Sequence, residues 1–123
     1  MLTILVVDDN QYVGSSLQRC LQLMGHRANW DRSGIDATAR LEGGERYDAL
    51  LTDLTMPGMN GLELCQRALA LDAGLKGRIR AMTGGASLDI VDGLAALGVE
   101  VMNKPFEIDD LRDVLAAIPA RLD

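Results

Sequence analysis

The chain has 123 residues, a formal net charge of −6 at pH 7, and 48% hydrophobic against 24% charged residues. These values are typical of one folded domain, and the acidic balance disfavours nucleic acid or an anionic membrane as the main partner. No apolar stretch approaches the roughly 20 residues of a membrane-spanning helix, and the N-terminus lacks the features of a signal peptide. Cys20 and Cys65 match neither a metal motif nor a disulfide framework. We therefore expect two reduced, mostly buried thiols in a cytoplasmic protein.

Short apolar runs alternate along the chain with amphipathic segments of helical spacing. Strands are predicted at residues 2–7, 27–30, 49–52, 79–82 and 99–102. The first of these is apolar at almost every position, as in a strand buried on both faces. A helix is predicted after each strand, and these helices end near Gly25, Gly43, Leu71, Gly98 and Ile118. The alternation predicts an α/β fold whose parallel sheet is covered by helices on both faces.

Three of these helices have a predicted start. Ser33 and Asn60 are each followed three positions later by an acidic residue, which resembles a capping box. Ser87 is predicted to open the helix that Gly98 ends.

Polar side chains follow four of the five predicted strands. Asp8 and Asp9 follow the first, Asp53 the third, Thr83 the fourth and Lys104 the fifth. The carboxyl ends of parallel strands meet at one edge of the sheet, where ligands of such folds bind. If the first and third strands are neighbours, the three carboxylates lie close together and need a cation. Hard oxygen ligands suit Mg²⁺. Together with a free carboxylate and a Lys, this is a site suited to phosphoryl transfer onto a carboxylate.

These residues, together with the run DLTMPGMNGLEL at 53–64 and the sequence KPF at 104–106, resemble the receiver domain of bacterial response regulators. The resemblance covers essentially the whole chain. It implies a doubly wound, flavodoxin-like sheet of five parallel strands in the order 2-1-3-4-5, with five helices on two faces. It further implies that residues 1–123 form a single receiver domain without an output domain, in a cytoplasmic two-component or phosphorelay protein.

The resemblance assigns a role to each acidic residue. Asp53 would accept a phosphoryl group from a phosphohistidine. Asp9 would bind Mg²⁺ directly and Asp8 largely through water, while Asp53 and the backbone carbonyl of Thr55 would complete the protein ligands. The implied partners are a sensor histidine kinase or a histidine phosphotransfer protein, and an unknown downstream protein, with neither nucleic acid nor membrane.

Two further residues have implied roles in the transfer. Thr83 would hydrogen-bond a phosphoryl oxygen, and Lys104 would form an ion pair with the phosphoryl group. A cis peptide bond between Lys104 and Pro105 would direct the Lys104 side chain towards the site. The resemblance implies that the domain is not a conventional enzyme. It is expected to catalyse its own phosphorylation and the slow hydrolysis of its aspartyl phosphate.

Two positions depart from the pattern of the family. Many receivers carry a Tyr or Phe three residues before the Lys, and this chain has Val101. We therefore expect phosphorylation to change the face formed by the fourth helix, fifth strand and fifth helix only weakly. Gly84 follows Thr83 as the smallest possible gate, which favours access by a donor His or by water.

Four other side chains have alternative interpretations. Trp30 and Tyr47 are predicted to pack in the core or at the sheet edge rather than to recognise a partner. Tyr12 and Val13, beside the acidic pair, belong either to the core or to a surface that docks the phosphohistidine protein.

Other classes of function fit the sequence less well. Phosphatases with a carboxylate nucleophile need an Asp two residues after it, and here that residue is Thr55. A flavin mononucleotide carrier needs a phosphate loop rich in hydroxyls and Gly after the first strand, which Asp8 and Asp9 do not supply. The remaining alternative is a pseudo-receiver that acts only as an interaction module. A stand-alone regulator and the receiver of a hybrid sensor kinase are both compatible with the sequence.

Overall fold

The computed structural model describes residues 1–85 and 88–121. These residues form five strands: β1 Thr3–Val7, β2 Arg27–Asp31, β3 Ala49–Asp53, β4 Ile79–Thr83 and β5 Glu100–Asn103. Five α-helices of the described part of the chain alternate with them: α1 Gln11–Leu23, α2 Gly34–Glu42, α3 Gly61–Leu71, α4 Leu88–Ala96 and α5 Ile108–Ala116. Each element lies close to its predicted position. A short 3-10 turn at Ala73–Leu75 was not predicted.

The strands form one parallel sheet in the order β2-β1-β3-β4-β5. The predicted doubly wound α/β fold is therefore confirmed. β1 lies between β2 and β3, and the chain reverses its direction of winding after β2. That reversal opens a crevice at the carboxyl ends of β1 and β3, which is where ligands of such sheets bind.

The central strands are apolar because both faces of the sheet are covered. In β1, Leu5 and Val7 belong to one core cluster, whereas Ile4 and Val6 belong to the other. This alternation is the two-residue period of a strand buried on both sides. The first cluster lies under α2, α3 and α4, and the second under α1 and α5.

The predicted helix boundaries are largely confirmed. Asn60 and Glu63 form a complete capping box at the start of α3. The Ser33 hydroxyl accepts a hydrogen bond from the Asp36 N–H at 3.1 Å, which caps α2. Gly98 follows α4 with a φ of +73°, a conformation that favours Gly after a helix. Ser87, predicted to open α4, lies outside the described residues.

Cys65, Trp30 and Tyr47 pack as predicted, whereas Cys20 is only half-buried and thus less buried than expected. Cys20 on α1 and Cys65 on α3 lie in opposite helical layers, and both are free thiols. Tyr47 is buried in the core, and Trp30 packs half-buried against the α1 and α5 cluster. Within residues 1–85 and 88–121, no helix has the length and apolar character needed to cross a membrane.

Candidate functional site

Three carboxylates meet at the carboxyl edge of the sheet. Asp8 and Asp9 follow β1, and Asp53 is the last residue of the neighbouring β3. One carboxylate oxygen from each lies within 4.8 Å of the others. Asp8 is fully buried and Asp53 is only 8% exposed, so little bulk water screens their repulsion. This donor set suits a hard divalent cation such as Mg²⁺, which prefers oxygen ligands and keeps several waters.

Lys104 lies between two of these carboxylates. Its ammonium nitrogen is 3.3 Å from Asp8 Oδ2 and 3.3 Å from Asp53 Oδ1. The Lys104–Pro105 peptide bond is cis, as the resemblance implied. The Lys104 N–H donates to the Thr83 carbonyl at 2.6 Å, which ties the segment after β5 to the end of β4.

Asp53 experiences opposing influences on its charge. Burial raises the pKa of the Asp53 carboxyl above its ordinary value, because desolvation disfavours the ionised form. The Lys104 ammonium acts in the opposite direction, and the neighbouring Asp8 charge raises the pKa further. A divalent cation held by these carboxylates would favour the ionised form that a nucleophile requires.

The other predicted site residues lie on the same edge of the sheet. Thr83 ends β4 and is almost fully buried, and its hydroxyl oxygen accepts a hydrogen bond from the Gly85 N–H at 2.9 Å. Gly84 is exposed, with open space where a Cβ atom would stand. Thr55 is exposed in the segment between β3 and α3.

The backbone at Asp53 is packed closely against the start of α3. A Cβ atom at Gly61 would lie 2.5 Å from the Asp53 carbonyl oxygen and 2.8 Å from the Leu54 Cα atom. The Gly61 N–H also donates to the Leu54 carbonyl at 3.1 Å. Only Gly allows this close approach, which holds the end of β3 against the helix.

The acidic loop is supported by residues that the sequence analysis did not connect with it. The Asn10 side chain caps α1 by accepting from the N–H groups of Tyr12 and Val13. Asp8 Oδ1 accepts from the Asn10 N–H at 2.9 Å. The indole N–H of Trp30 donates to the Asp8 carbonyl at 2.9 Å. The sequence offers no local signal for this last contact, because 22 residues separate its two members.

A largely apolar groove begins beside Lys104 and runs between α1 and α5. Its volume is about 560 Å³, and its lining residues include Tyr12, Val13, Phe106 and Ile108. Tyr12 is 75% exposed. The sequence left open whether Tyr12 and Val13 belong to the core or to the surface. Tyr12 lies on the surface, whereas Val13 is half-buried and also contacts the core.

Comparison with known proteins identifies the family. The family model of the response regulator receiver domain matches residues 4–116. The chain is a response regulator receiver domain. This receiver is 35% identical to the response regulator receiver protein CpdR of Brucella abortus, over 90% of this chain and 91% of that one. It is 33% identical to the transcriptional regulatory protein TcrA of Mycobacterium tuberculosis, over 96% of this chain but 46% of TcrA.

Some curated relatives are thus about twice as long as this receiver. Among solved structures, chemotaxis protein CheY4 of Vibrio cholerae has a TM-score of 0.85 and 25% identity, covering 97% of this chain and 99% of that one. The receiver domain of sensor histidine kinase PA1611 from Pseudomonas aeruginosa has a TM-score of 0.81 and 28% identity, covering 93% of each chain. That structure has a magnesium ion coordinated in its active site cleft.

Proposed function

We propose that this receiver accepts a phosphoryl group on Asp53 from a phosphohistidine, in a reaction that depends on Mg²⁺. The observation that carries the proposal is the cluster of Asp8, Asp9 and Asp53 with Lys104 at hydrogen-bonding distance from two of them. The unit that acts is the whole chain, 1–123, as a single receiver domain of a cytoplasmic two-component or phosphorelay system.

The metal would be held by Asp9 directly, by Asp8 largely through water, by Asp53 and by the backbone carbonyl of Thr55. When bound, Mg²⁺ supplies a positive charge that offsets the charge on the transferred phosphoryl oxygens. The mutual distances of the three carboxylates support this assignment. The magnesium ion in the PA1611 receiver structure supports it as well.

In the transfer, an Asp53 oxygen attacks phosphorus, the P–N bond to the donor imidazole breaks, and the ring nitrogen keeps the electron pair. Lys104, which contacts Asp53 Oδ1, would shift from this carboxylate oxygen to an oxygen of the transferred phosphoryl group and form an ion pair with it. The Thr83 hydroxyl would donate to another phosphoryl oxygen. Its bond from the Gly85 N–H uses an oxygen lone pair and leaves the hydroxyl hydrogen for this purpose. Slow attack by water on the same phosphorus would release phosphate and restore the Asp53 carboxylate.

The partner that donates the phosphoryl group is a sensor histidine kinase or a histidine phosphotransfer protein. The groove between α1 and α5 would accept a helix of this partner, because it begins at Lys104 and is therefore continuous with the acceptor site. An apolar helix face placed there would bring a His on that helix towards Asp53. A downstream protein, still to be identified, would respond to the phosphorylated state.

The test of the acceptor is the intact mass of the protein after incubation with acetyl phosphate and Mg²⁺. We expect a single phosphoryl adduct on the wild type, and none on Asp53→Asn or in the presence of a chelator. If neither an adduct nor Mg²⁺ binding is detected, the site is idle and the domain is an interaction module. Mg²⁺ binding without an adduct would indicate a receiver that accepts only from its protein donor.

The test of the docking groove compares two donors. Tyr12→Ala should slow transfer from a phosphorylated histidine kinase, chosen from a purified panel, and leave phosphorylation by acetyl phosphate unchanged. Leu23→Ala is the matched control, because Leu23 is 76% exposed on the same helix but lies outside the groove. Equal transfer rates for all three proteins would contradict the proposed docking surface.

A further inference from the structure

The backbone on either side of the Asp8 Cα atom is held by the end of the edge strand β2. On one side, the Asp8 N–H donates to the Asp31 carbonyl at 3.1 Å. On the other, the Asp8 carbonyl accepts from the indole N–H of Trp30 at 2.9 Å. The β1 ladder with β2 ends at the pair Val7 and Asp31. The indole therefore supplies a hydrogen bond to a carbonyl that lies one residue beyond this ladder.

The indole ring has a dedicated place beneath α1. A Cβ atom at Gly14 would lie 2.0 Å from Trp30 Nε1 and 2.3 Å from the adjacent ring carbon. The absence of a side chain at Gly14 thus lets the helix pass directly over the ring and its N–H group. Trp30 also packs against the α1 and α5 core cluster, which limits its rotamers.

The last residue of β2, which follows Trp30, is held in place by an ion pair. Asp31, the residue after Trp30, accepts from Arg40 Nε on α2 at 2.7 Å. This ion pair ties the end of β2 to the helical layer opposite α1. The end of β2 is thus held from both faces of the sheet, and it can act as a rigid support for the acidic loop.

We propose that Trp30 is a positioning residue for the metal site, acting through the Asp8 carbonyl rather than touching the ion. A peptide unit is planar, so fixing the direction of the Asp8 carbonyl also fixes the plane from which Asp9 begins. Asp9 is the half-exposed member of the acidic cluster, and packing restrains its side chain less than that of the buried Asp8. Groups that orient metal ligands in this way govern affinity without contacting the metal.

This inference rests on the proposed function, and its test measures metal binding apart from phosphorylation. Mg²⁺ is titrated into ¹⁵N-labelled wild type, Trp30→Phe and Tyr47→Phe, and the Kd is read from backbone amide shifts. Trp30→Phe removes the N–H donor, and we expect its Kd for Mg²⁺ to rise about three- to tenfold. Tyr47→Phe is the matched control, because it removes an aromatic hydroxyl that bonds Asn29 and Glu45 instead. Its Kd should match that of the wild type.

A second measurement separates positioning from general damage to the fold. The rate of phosphorylation by acetyl phosphate is measured against Mg²⁺ concentration. For Trp30→Phe we expect a higher half-saturating Mg²⁺ concentration and a rate at saturation close to that of the wild type. A lower saturating rate with an unchanged half-saturating concentration would overturn the inference.

The remaining outcomes are also distinct. Trp30 is the single Trp of the chain, so uniform replacement of Trp by its benzothiophene analogue removes the N–H and keeps the ring size. This protein decides the question if Trp30→Phe does not fold. If the wild type binds Mg²⁺ and the analogue-containing protein binds it with the same Kd, the positioning role of Trp30 is overturned and the proposed function is not. Absence of Mg²⁺ binding by the wild type would overturn the proposed function, and the inference with it.

Discussion

The two edges of the sheet treat their carboxylates in opposite ways. At the carboxyl edge, Asp8, Asp9 and Asp53 lie within 4.8 Å of one another, and the described contacts of these carboxylates include one cation, Lys104. At the amino edge, the carboxylates are matched by donors. Asp72 forms a bidentate pair with Arg121, at 2.6 and 3.2 Å.

The amino edge is matched in its backbone contacts too. Asp48 accepts from the Thr3 N–H and from the Arg121 N–H, each at 2.7 Å. These bonds join the start of β1, the segment before β3 and the segment after α5. Charge at this edge thus stabilises the fold, whereas the excess of negative charge at the carboxyl edge destabilises it until a cation is bound. The comparison separates carboxylates that stabilise the fold from those that we propose to take part in phosphoryl transfer.

The largest expected effect breaks the function of the carboxyl edge and improves its stability. Asp9→Asn should lower the rate of phosphorylation by acetyl phosphate by more than about 100-fold, because it removes the residue proposed to bind Mg²⁺ directly. The same change should raise the free energy of unfolding without Mg²⁺ by about 0.5 kcal/mol, because it removes a like charge. Intact mass and urea unfolding check the two effects. A variant that is less stable than the wild type without Mg²⁺ would refute the idea of unrelieved repulsion.

A smaller effect concerns access to the carboxyl edge. A side chain at Gly84 has open space around it, so Gly84→Val should fold and partly cover the acceptor. We expect transfer to Asp53 and hydrolysis of its phosphate to slow by about three- to tenfold. Gly84→Ala should lie between the two proteins. Rates that do not depend on the size of this side chain would show that it is not a gate.

At the amino edge, the expected effect is on stability alone. Arg121 holds the pKa of the Asp72 carboxyl below its usual value of 3.8. Because the pKa of Asp72 is lower in the folded state than in the unfolded state, the ionised carboxylate stabilises the fold above about pH 4. This stability is lost as the pH falls from there through the lowered pKa of the folded state. Asp72→Asn should therefore reduce the free energy of unfolding by about 1 kcal/mol at pH 7. The difference from the wild type should vanish in acid.

Urea unfolding at a series of pH values measures this difference. Asp109→Asn is the control, because Asp109 forms an exposed pair with Arg112 at 3.6 Å and should change stability little. Phosphorylation of Asp72→Asn should match that of the wild type. A loss of phosphorylation without a loss of stability would remove the distinction between the two edges.

The smallest expected effect concerns β5, at a position between the amino and carboxyl ends of the strands. Val101 is half-buried and pairs with Ala81, and it has no aromatic ring that could change position on phosphorylation. On phosphorylation, amide shifts on the face formed by α4, β5 and α5 should be smaller than those around Asp53. Large shifts on that face would contradict the prediction and imply another route of communication.

Several features of the fold were predictable because the physics behind them is local. The burial of β1 on both faces follows from an apolar run, and the capping box at Asn60 and Glu63 from two residues three apart. The meeting of Asp8 and Asp53 follows from the geometry of parallel strands, and the strand order and the cis bond before Pro105 from a resemblance of sequence.

The contacts that sequence reasoning missed join residues far apart in the chain. The pair of Asp72 with Arg121 spans 49 residues, and the bond from Trp30 to Asp8 spans 22. Neither has a spacing that a helix or a strand would impose. The closeness of Gly14 to Trp30 was equally hidden, because a Gly inside a helix usually signals only a weak helix former.

The difference in burial between the two thiols makes the wild-type protein suitable for labelling at a single Cys. Burial raises the pKa of the Cys65 thiol to about 12, so its thiolate is scarce at neutral pH and a maleimide reagent reaches it poorly. Cys20 is half-buried and lines the groove between α1 and α5. A fluorophore attached there would report directly on whether the groove is occupied, with no substitution in the chain.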